Sequence, residues 1–305
     1  MQITAILSDY DGTLCPTGSI KNQEENLIPA DLEDILWDIS KKIPVCIVSS
    51  KDFGFLHAKT KFANITSCIM GIETIVLKKH RQEAKIAQNN YGSMCDNNLE
   101  CIESKHLLSD KKTLEVNSSL LANIANHISQ NFNQSITLEQ KFTADKRILA
   151  GITIDWRHMK DWQSFKLESE PYLRKLISEK QRELSINGNG GKLHIQTYTT
   201  HPFIDIYATK CDKGIAFDYV YHEILKMQGK QEQQQNNILY LGDSENDNPA
   251  FRKAHVSIGV HSDTRLNPKL NCKYNICFNK LSRFLKGLLD KDLLFTDSLV
   301  NLQLG

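Results

Sequence analysis

The sequence is short of several things, and each absence excludes something. Its eight cysteines include no C-x-x-C pair, so neither a zinc site nor a disulfide framework stands out. An excess of one charge is missing too: 37 Lys and Arg against 36 Asp and Glu leave +1, no overall field for holding nucleic acid. No uncharged apolar stretch approaches the roughly 20 residues of a membrane helix. The N-terminus, "MQITAILSDYD", has no basic leader and no small-residue cleavage site, so a cytoplasmic protein with reduced core thiols is expected. Cys272 and Cys277 stand close in "NCKYNIC", but no second ligand pair accompanies them and no metal role is expected of them. A small-molecule partner is what remains.

At 305 residues, with a 40% hydrophobic fraction, the chain can build a sizeable core, and two domains suit it best. Ile3, Ala5, Ile6 and Leu7 form a near-continuous apolar run of the kind parallel sheets bury on both faces. Pro29 sits near a helix start, and Leu32, Ile35, Leu36 and Ile39 then repeat at helical spacing. "IPVCIVSS", a further helix and "ITSCIM" continue the alternation, which predicts a right-handed parallel α/β sheet. From about residue 78 the pattern changes. Asn-rich stretches lead to a helix near 114–131, the strands "SITLEQKF" and "ILAGITIDWR", a helix around 168–184, a "NGNGG" turn, and the strands "KLHIQTYT" and "FIDIYAT". Parallel alternation returns at "DKGIAFDYVYHEIL" and runs through "NILYLGDS" and "HVSIGV" to a final helix near Leu281–Leu289. The glutamine-rich "KQEQQQNN" reads as a solvated connection. The expected architecture is α/β: a Rossmann-like parallel-sheet core over 1–77 and 209–305, with an inserted α+β cap over 78–208.

In open parallel sheets ligands bind beyond the carboxyl ends of the strands, and the polar clusters fall there. Asp9 and Asp11 follow the first strand, Ser49 and Ser50 the second, and Asp243, Glu245, Asn246 and Asp247 a later one, while Lys213 opens a helix. Taken singly, D-x-D can be a capping loop, "GDS" a turn and Lys213 a solvated side chain. Their joint order is far more specific.

"DYDGT", the strand-end Ser49, the Lys-Gly pair at 213 and "GDSENDNPAF" resemble the four motifs of the haloacid dehalogenase-like (HAD) phosphohydrolases. The block between the second and third motifs resembles the α/β cap of the class that is mostly sugar-phosphate phosphatases. The resemblance covers nearly the whole chain. It implies that Asp9 is the nucleophile forming an aspartyl-phosphate, and that Asp11 protonates the leaving oxygen and later deprotonates water. It also implies Mg²⁺, held by Asp9, Asp243 and the Asp11 carbonyl, with Asp247 as a supporting acid acting through water or on Lys213. Lys213, Ser49 and backbone N–H groups around Gly12 would hold the phosphoryl oxygens. Thr13 would brace the turn, and Tyr10 reads as a packing residue.

In the cap, "LEQKF" with Glu139 and Lys141, "ILAGITIDWR" with Arg157, and Asp205 in "FIDIY" resemble the substrate-binding acid, lysine and arginine of trehalose-6-phosphate phosphatases. Solvated strand faces would also explain these residues. His158, His194 and His201 read as surface or hydrogen-bonded histidines. Some features depart from that pattern. "VSSKD" is closer to the second motif of mannosyl-3-phosphoglycerate phosphatases, and Tyr207-Ala208 stands where Arg-Pro is common. The expected activity is a Mg²⁺-dependent sugar-phosphate monoesterase, with trehalose 6-phosphate the leading substrate. Mannosyl-3-phosphoglycerate, sucrose phosphate or another sugar phosphate stands next, then phosphomutase chemistry, and last a non-enzymatic scaffold.

Overall fold

The computed structural model describes residues 1–16, 27–78, 102–131, 136–186, 192–199, 201–229, 236–262 and 270–301, without the side chains of 184–186 and 301. The strands are β1 (Ala5–Ser8), β2 (Val45–Val48), β3 (Ile65–Cys68), β4 (Glu73–Leu77), β5 (Ile102–Leu107), β6 (Thr137–Phe142), β7 (Leu149–Asp155), β8 (His194–Thr197), β9 (Phe203–Tyr207), β10 (Ile238–Gly242), β11 (Val256–His261) and β12 (Tyr274–Cys277). The helices are α1 (Ala30–Ser40), α2 (Phe53–His57), α3 (Lys111–Asn131), α4 (Trp162–Ile186), α5 (Lys213–Met227), α6 (Asn248–Phe251), α7 (Leu281–Asp290) and α8 (Ser298–Asn301).

One sheet has eight strands in the order β12-β11-β10-β1-β2-β3-β4-β5, parallel from β12 to β3 and antiparallel at β4 and β5. Its central runs are apolar because both faces are covered. Ile6, Ile47, Leu239 and Leu241 pack on the side of α1 and α7, while Ala5, Leu7, Val48, Ile238 and Tyr240 pack on the side of α5 and α6. Fully burying each such Leu, Ile or Val contributes about 1.5–3 kcal/mol before entropy is counted. The chain passes from β1 to β2 on one side and later places β10 on the other, so strand order reverses at β1. The crevice beyond β1 and β10 is the topological switch point.

The second sheet has four antiparallel strands in the order β6-β7-β9-β8. One face carries Ile152, Ile154, Ile204 and Ile206, in one core with Leu121, Ile124 and Ile128 of α3 and Leu173 and Ile177 of α4. Period-two alternation then puts Glu139, Thr153, Asp205 and Gln196 in one register row on the other face, with Lys141, Gly151, Tyr207 and His194 in the next.

Three expectations shift. Ile102–Leu107, within the block expected from 78 onward, pairs with Glu73–Leu77 in the large sheet. "IESKHL" is a mostly polar edge strand with no apolar period to reveal it. Helix α4 starts before 168 and contains Pro171; its first turns face water, with Leu167 75% exposed, so no apolar stripe marks them. Finally, α3 begins at Lys111 rather than 114. The Asn-rich 79–101 with Cys95 and Cys101, the "NGNGG" turn at 187–191 and most of "KQEQQQNN" lie outside the described residues. Among the described residues no helix is long and apolar enough to cross a membrane. Cys15, Cys46, Cys68, Cys211, Cys272 and Cys277 are free.

Candidate active site

The loop after β1 is built around its own carbonyls. Asp9 N–H still donates to Leu241 O at 2.9 Å, extending the pairing with β10 by one residue, and Leu14 and Cys15 N–H then donate to Tyr10 O, each at 3.0 Å. Gly12 sits at φ +77°, and a Cβ there would lie 2.1 Å from Asp243 Oδ2. Both facts require glycine: the left-handed backbone and the approach of an acid from another strand. Thr13 Oγ1 donates to Asp243 Oδ1 at 3.3 Å, tying this loop to the one after β10. Tyr10 is buried and meets Phe55 edge-on, a packing residue.

Lys213 is fully buried at the first position of α5, whose N-cap Asp212 accepts from Gly214 N and Ile215 N at 2.7 and 2.8 Å. Its Nζ lies 2.7 Å from Asp9 Oδ2 and 2.8 Å from Asp247 Oδ1. A buried ammonium is tolerable only with partners of this kind. Asp247 is saturated: Oδ1 also accepts from Tyr240 OH at 2.7 Å, and Oδ2 accepts from Asp243 N, Ser244 N and Ser244 Oγ at 3.1, 3.0 and 3.3 Å. Gly242 lets it come close, since a Cβ there would meet Asp247 Cγ at 2.4 Å.

Asp9, Asp243 and Asp247 bring carboxylate oxygens within 4.8 Å of one another, with Lys213 as the ammonium between Asp9 and Asp247. Burial pushes the Asp9 carboxyl up to about 7; Lys213 pulls it down, and Asp247 and Asp11 push it up. Burial, then Asp9 and Asp247, hold Asp243 well above the carboxylate range against Lys213. The crowded negative charge and all-oxygen donor set fit a hard divalent cation such as Mg²⁺.

Ser49 is buried at the end of β2, its Oγ accepting from Lys51 N at 3.2 Å; since Ser8 pairs with Ile47, Ser49 and Asp9 leave neighbouring strands at the same edge. Asp11 is half-buried, with Lys51 Nζ 4.0 Å from its Oδ2. The same ammonium lies 2.9 Å from both Glu139 oxygens across in β6. Burial raises the Glu139 carboxyl, but Lys141, Lys51 and Arg157 outweigh it and hold Glu139 below its ordinary value. Lys141 and Asp205 are buried together at 3.5 Å, and Asp205 also accepts from Thr153 Oγ1 and, at 3.0 Å, from Tyr198 OH. Arg157, just past the end of β7, is exposed and paired with Asp155 on the same face, near enough to Glu139 for its charge to be felt there. On the opposite rim Glu245 accepts from Thr199 N and Oγ1 at 3.2 and 2.7 Å. A surface groove of about 470 Å³ lined by Leu120, His127 and Lys180 contains none of these residues.

The structure therefore brings Asp9, Gly12, Lys213, Asp243 and Asp247 together, sets Asp11 and Ser49 beside them, and places Glu139, Lys141 and Asp205 on one cap face. Sequence reasoning missed Lys51, Tyr240, Thr153 and Tyr198, and named Glu245 only as part of the cluster after a later strand. A tyrosine in a buried strand, as in "ILYLGD", does signal a hydroxyl in need of a partner. Nothing local marks Lys51, Thr153 and Tyr198.

The structure is similar to a trehalose-6-phosphate phosphatase related protein, at 17% identity and TM-score 0.57 over 95% of this chain and 99% of that one. It is similar to the C-terminal domain of C. albicans trehalose-6-phosphate phosphatase, at 15% identity and TM-score 0.59 over 96% and 94%. The chain shares their fold. A HAD subclass IIB sugar phosphatase has it too, at 12% identity and TM-score 0.51 over 95% of this chain and all of that one. No family model and no curated protein matches the sequence. At such identities the likeness establishes architecture: the large parallel sheet and the separate antiparallel sheet are those of the HAD fold.

Proposed function

We propose that the protein is a Mg²⁺-dependent phosphomonoesterase acting on a sugar phosphate, with trehalose 6-phosphate the first substrate to test. The observation that carries this reading is the convergence of Asp9, Lys213, Asp243 and Asp247 at the switch point, facing the polar side of the second sheet. The names of the similar structures support the same substrate class. The six cysteines among the described residues are free, which suits a reducing compartment such as the cytoplasm. The division of labour is a core of residues 1–77, 102–107 and 209–301 with a cap over 108–208.

An Asp9 oxygen attacks phosphorus; the Asp9–phosphorus bond forms as the bond to the sugar oxygen breaks, and Asp11 delivers a proton to that oxygen. Water, deprotonated by Asp11, then attacks phosphorus and releases inorganic phosphate and free Asp9. Lys213 and Ser49 hold phosphoryl oxygens; the Gly12 N–H expected beside them instead donates to Cys15 O at 2.7 Å, so Gly12 serves by its φ and its missing Cβ. Mg²⁺, when bound by Asp9, Asp243 and the Asp11 carbonyl, supplies positive charge to the transferring phosphoryl group. Asp247 is the orienting acid, since its oxygens already hold Lys213, Tyr240 and two backbone N–H groups in place. The cap face excludes water and meets the sugar with Glu139, Lys141 and Asp205.

The test is phosphate release from trehalose 6-phosphate, sucrose 6-phosphate, glucose 1-phosphate and mannosyl-3-phosphoglycerate, with Mg²⁺ and with a chelator. Mg²⁺-dependent release from a sugar phosphate is expected. Absence of turnover on every ester with Mg²⁺ present would defeat the reading.

A further inference from the structure

The loop after β2 grips the cap through consecutive residues. Lys51 has its backbone fixed on both sides: its N–H donates to Ser49 Oγ at 3.2 Å and its carbonyl accepts from Ile69 N at 3.0 Å. The side chain, 19% exposed, crosses to β6 and holds both Glu139 oxygens at 2.9 Å, with Phe55 beneath it at 5.2 Å from the ring centroid. Asp52 caps α2 through Phe55 N at 2.9 Å and turns its other oxygen to Phe142 N on β6 at 3.4 Å. Among the described residues β6 is an edge strand, paired only with β7, and this loop steadies its free side. Glu139 belongs to the row with Thr153 and Asp205 that faces the core.

A flexible carboxylate recognises hydroxyl groups poorly unless something fixes its plane. A cation equidistant from both oxygens does that. Resting on the phosphatase reading, we propose that Lys51 is a positioning residue for the leaving group: a core ammonium that fixes Glu139, and β6 with it, above the catalytic edge. Recognition of the sugar then depends on a charge supplied by the core, and the cap acid is correctly placed only when the two sheets are engaged.

Lys51→Met and Lys51→Arg are compared with the wild type in two ways. Hydrogen exchange of the β6 amides, read without substrate, should accelerate about tenfold in Lys51→Met and stay near wild type in Lys51→Arg. In kinetics, Lys51→Met should lose about tenfold more kcat/KM on the preferred sugar phosphate than on p-nitrophenyl phosphate, mostly through KM, and Lys51→Arg should restore the difference. Equal losses on both esters, or β6 exchange unchanged in Lys51→Met, would overturn the proposal. Glu139→Gln removes the same pair from the other side and must reproduce the exchange change even where Lys51→Met does not fold. If the wild type hydrolyses no ester, the phosphatase reading fails while the exchange comparison still decides whether Lys51 holds β6.

Discussion

The large sheet and the cap sheet each bury charge, and they do so in opposite ways. At the switch point three carboxylates crowd together with Lys213 between two of them, and burial drives Asp9 and Asp243 upward. On the cap face Lys141 meets Asp205, Lys51 meets Glu139 and Arg157 meets Asp155, and the Asp205 oxygens also receive two hydroxyls. The first arrangement is electrostatically incomplete and suits a cation and a phosphoryl group. The second is balanced and suits uncharged hydroxyls. Removing an acid should therefore act oppositely on activity and on metal-free stability in the core, and removing a charge from the cap should simply destabilise.

The sharpest break is Asp9→Asn, expected to cut phosphate release by at least about a thousandfold while circular dichroism stays native. Next is Lys141→Met, which strands Asp205, 2% exposed, beside two hydroxyls. Urea unfolding should show a loss of about 3 kcal/mol, and Lys141→Met with Asp205→Leu should recover most of it. A loss under about 1 kcal/mol would mean the cap pair is not held as tightly as its burial implies. Asp243→Asn should do the reverse in chelator, raising Tm by about 2 °C at pH 8 while weakening Mg²⁺ binding in calorimetry.

The sign follows from linkage. A carboxyl whose native pKa is raised binds its proton more tightly folded than unfolded, so its contribution is fully present at low pH and lost as pH rises. For Asp9 the window runs from 3.8 to about 7. Metal-free wild-type stability should fall across it, and Asp9→Asn should flatten the slope; an unchanged slope would remove Asp9 as its cause. The smallest effect belongs to Arg157→Ala. Its pair with Asp155 is 46% exposed on the arginine side, so Tm should move by about 1 °C or less.

Much of the core site was legible because its parts are local. A D-x-D-G-T after an apolar run, a strand-end serine and "GDSEND" each declare a loop at a sheet edge, and the covalent spacing of Asp9, Asp11, Gly12 and Thr13 already builds the turn. Lys213 is less obvious, since its full burial depends on Asp9 and Asp247 arriving from β1 and beyond β10. The cap was legible as a hairpin-rich block, and Glu139, Lys141 and Asp205 as its polar set. Its edge was not: β5 is polar, and only pairing with β4 makes it a strand of the large sheet.

By itself the sequence determined the alternation of buried strands with amphipathic helices and the residue types at the strand ends, because periodicity and turn chemistry act over a few neighbours. Only the tertiary structure decided that Lys51 reaches Glu139, that Tyr240 braces Asp247, and that Asp243 closes on Gly12. Two of those contacts join residues 88 or more positions apart and the third bridges a strand and the loop after it, and their energies exist only once the fold has brought them within a few ångströms.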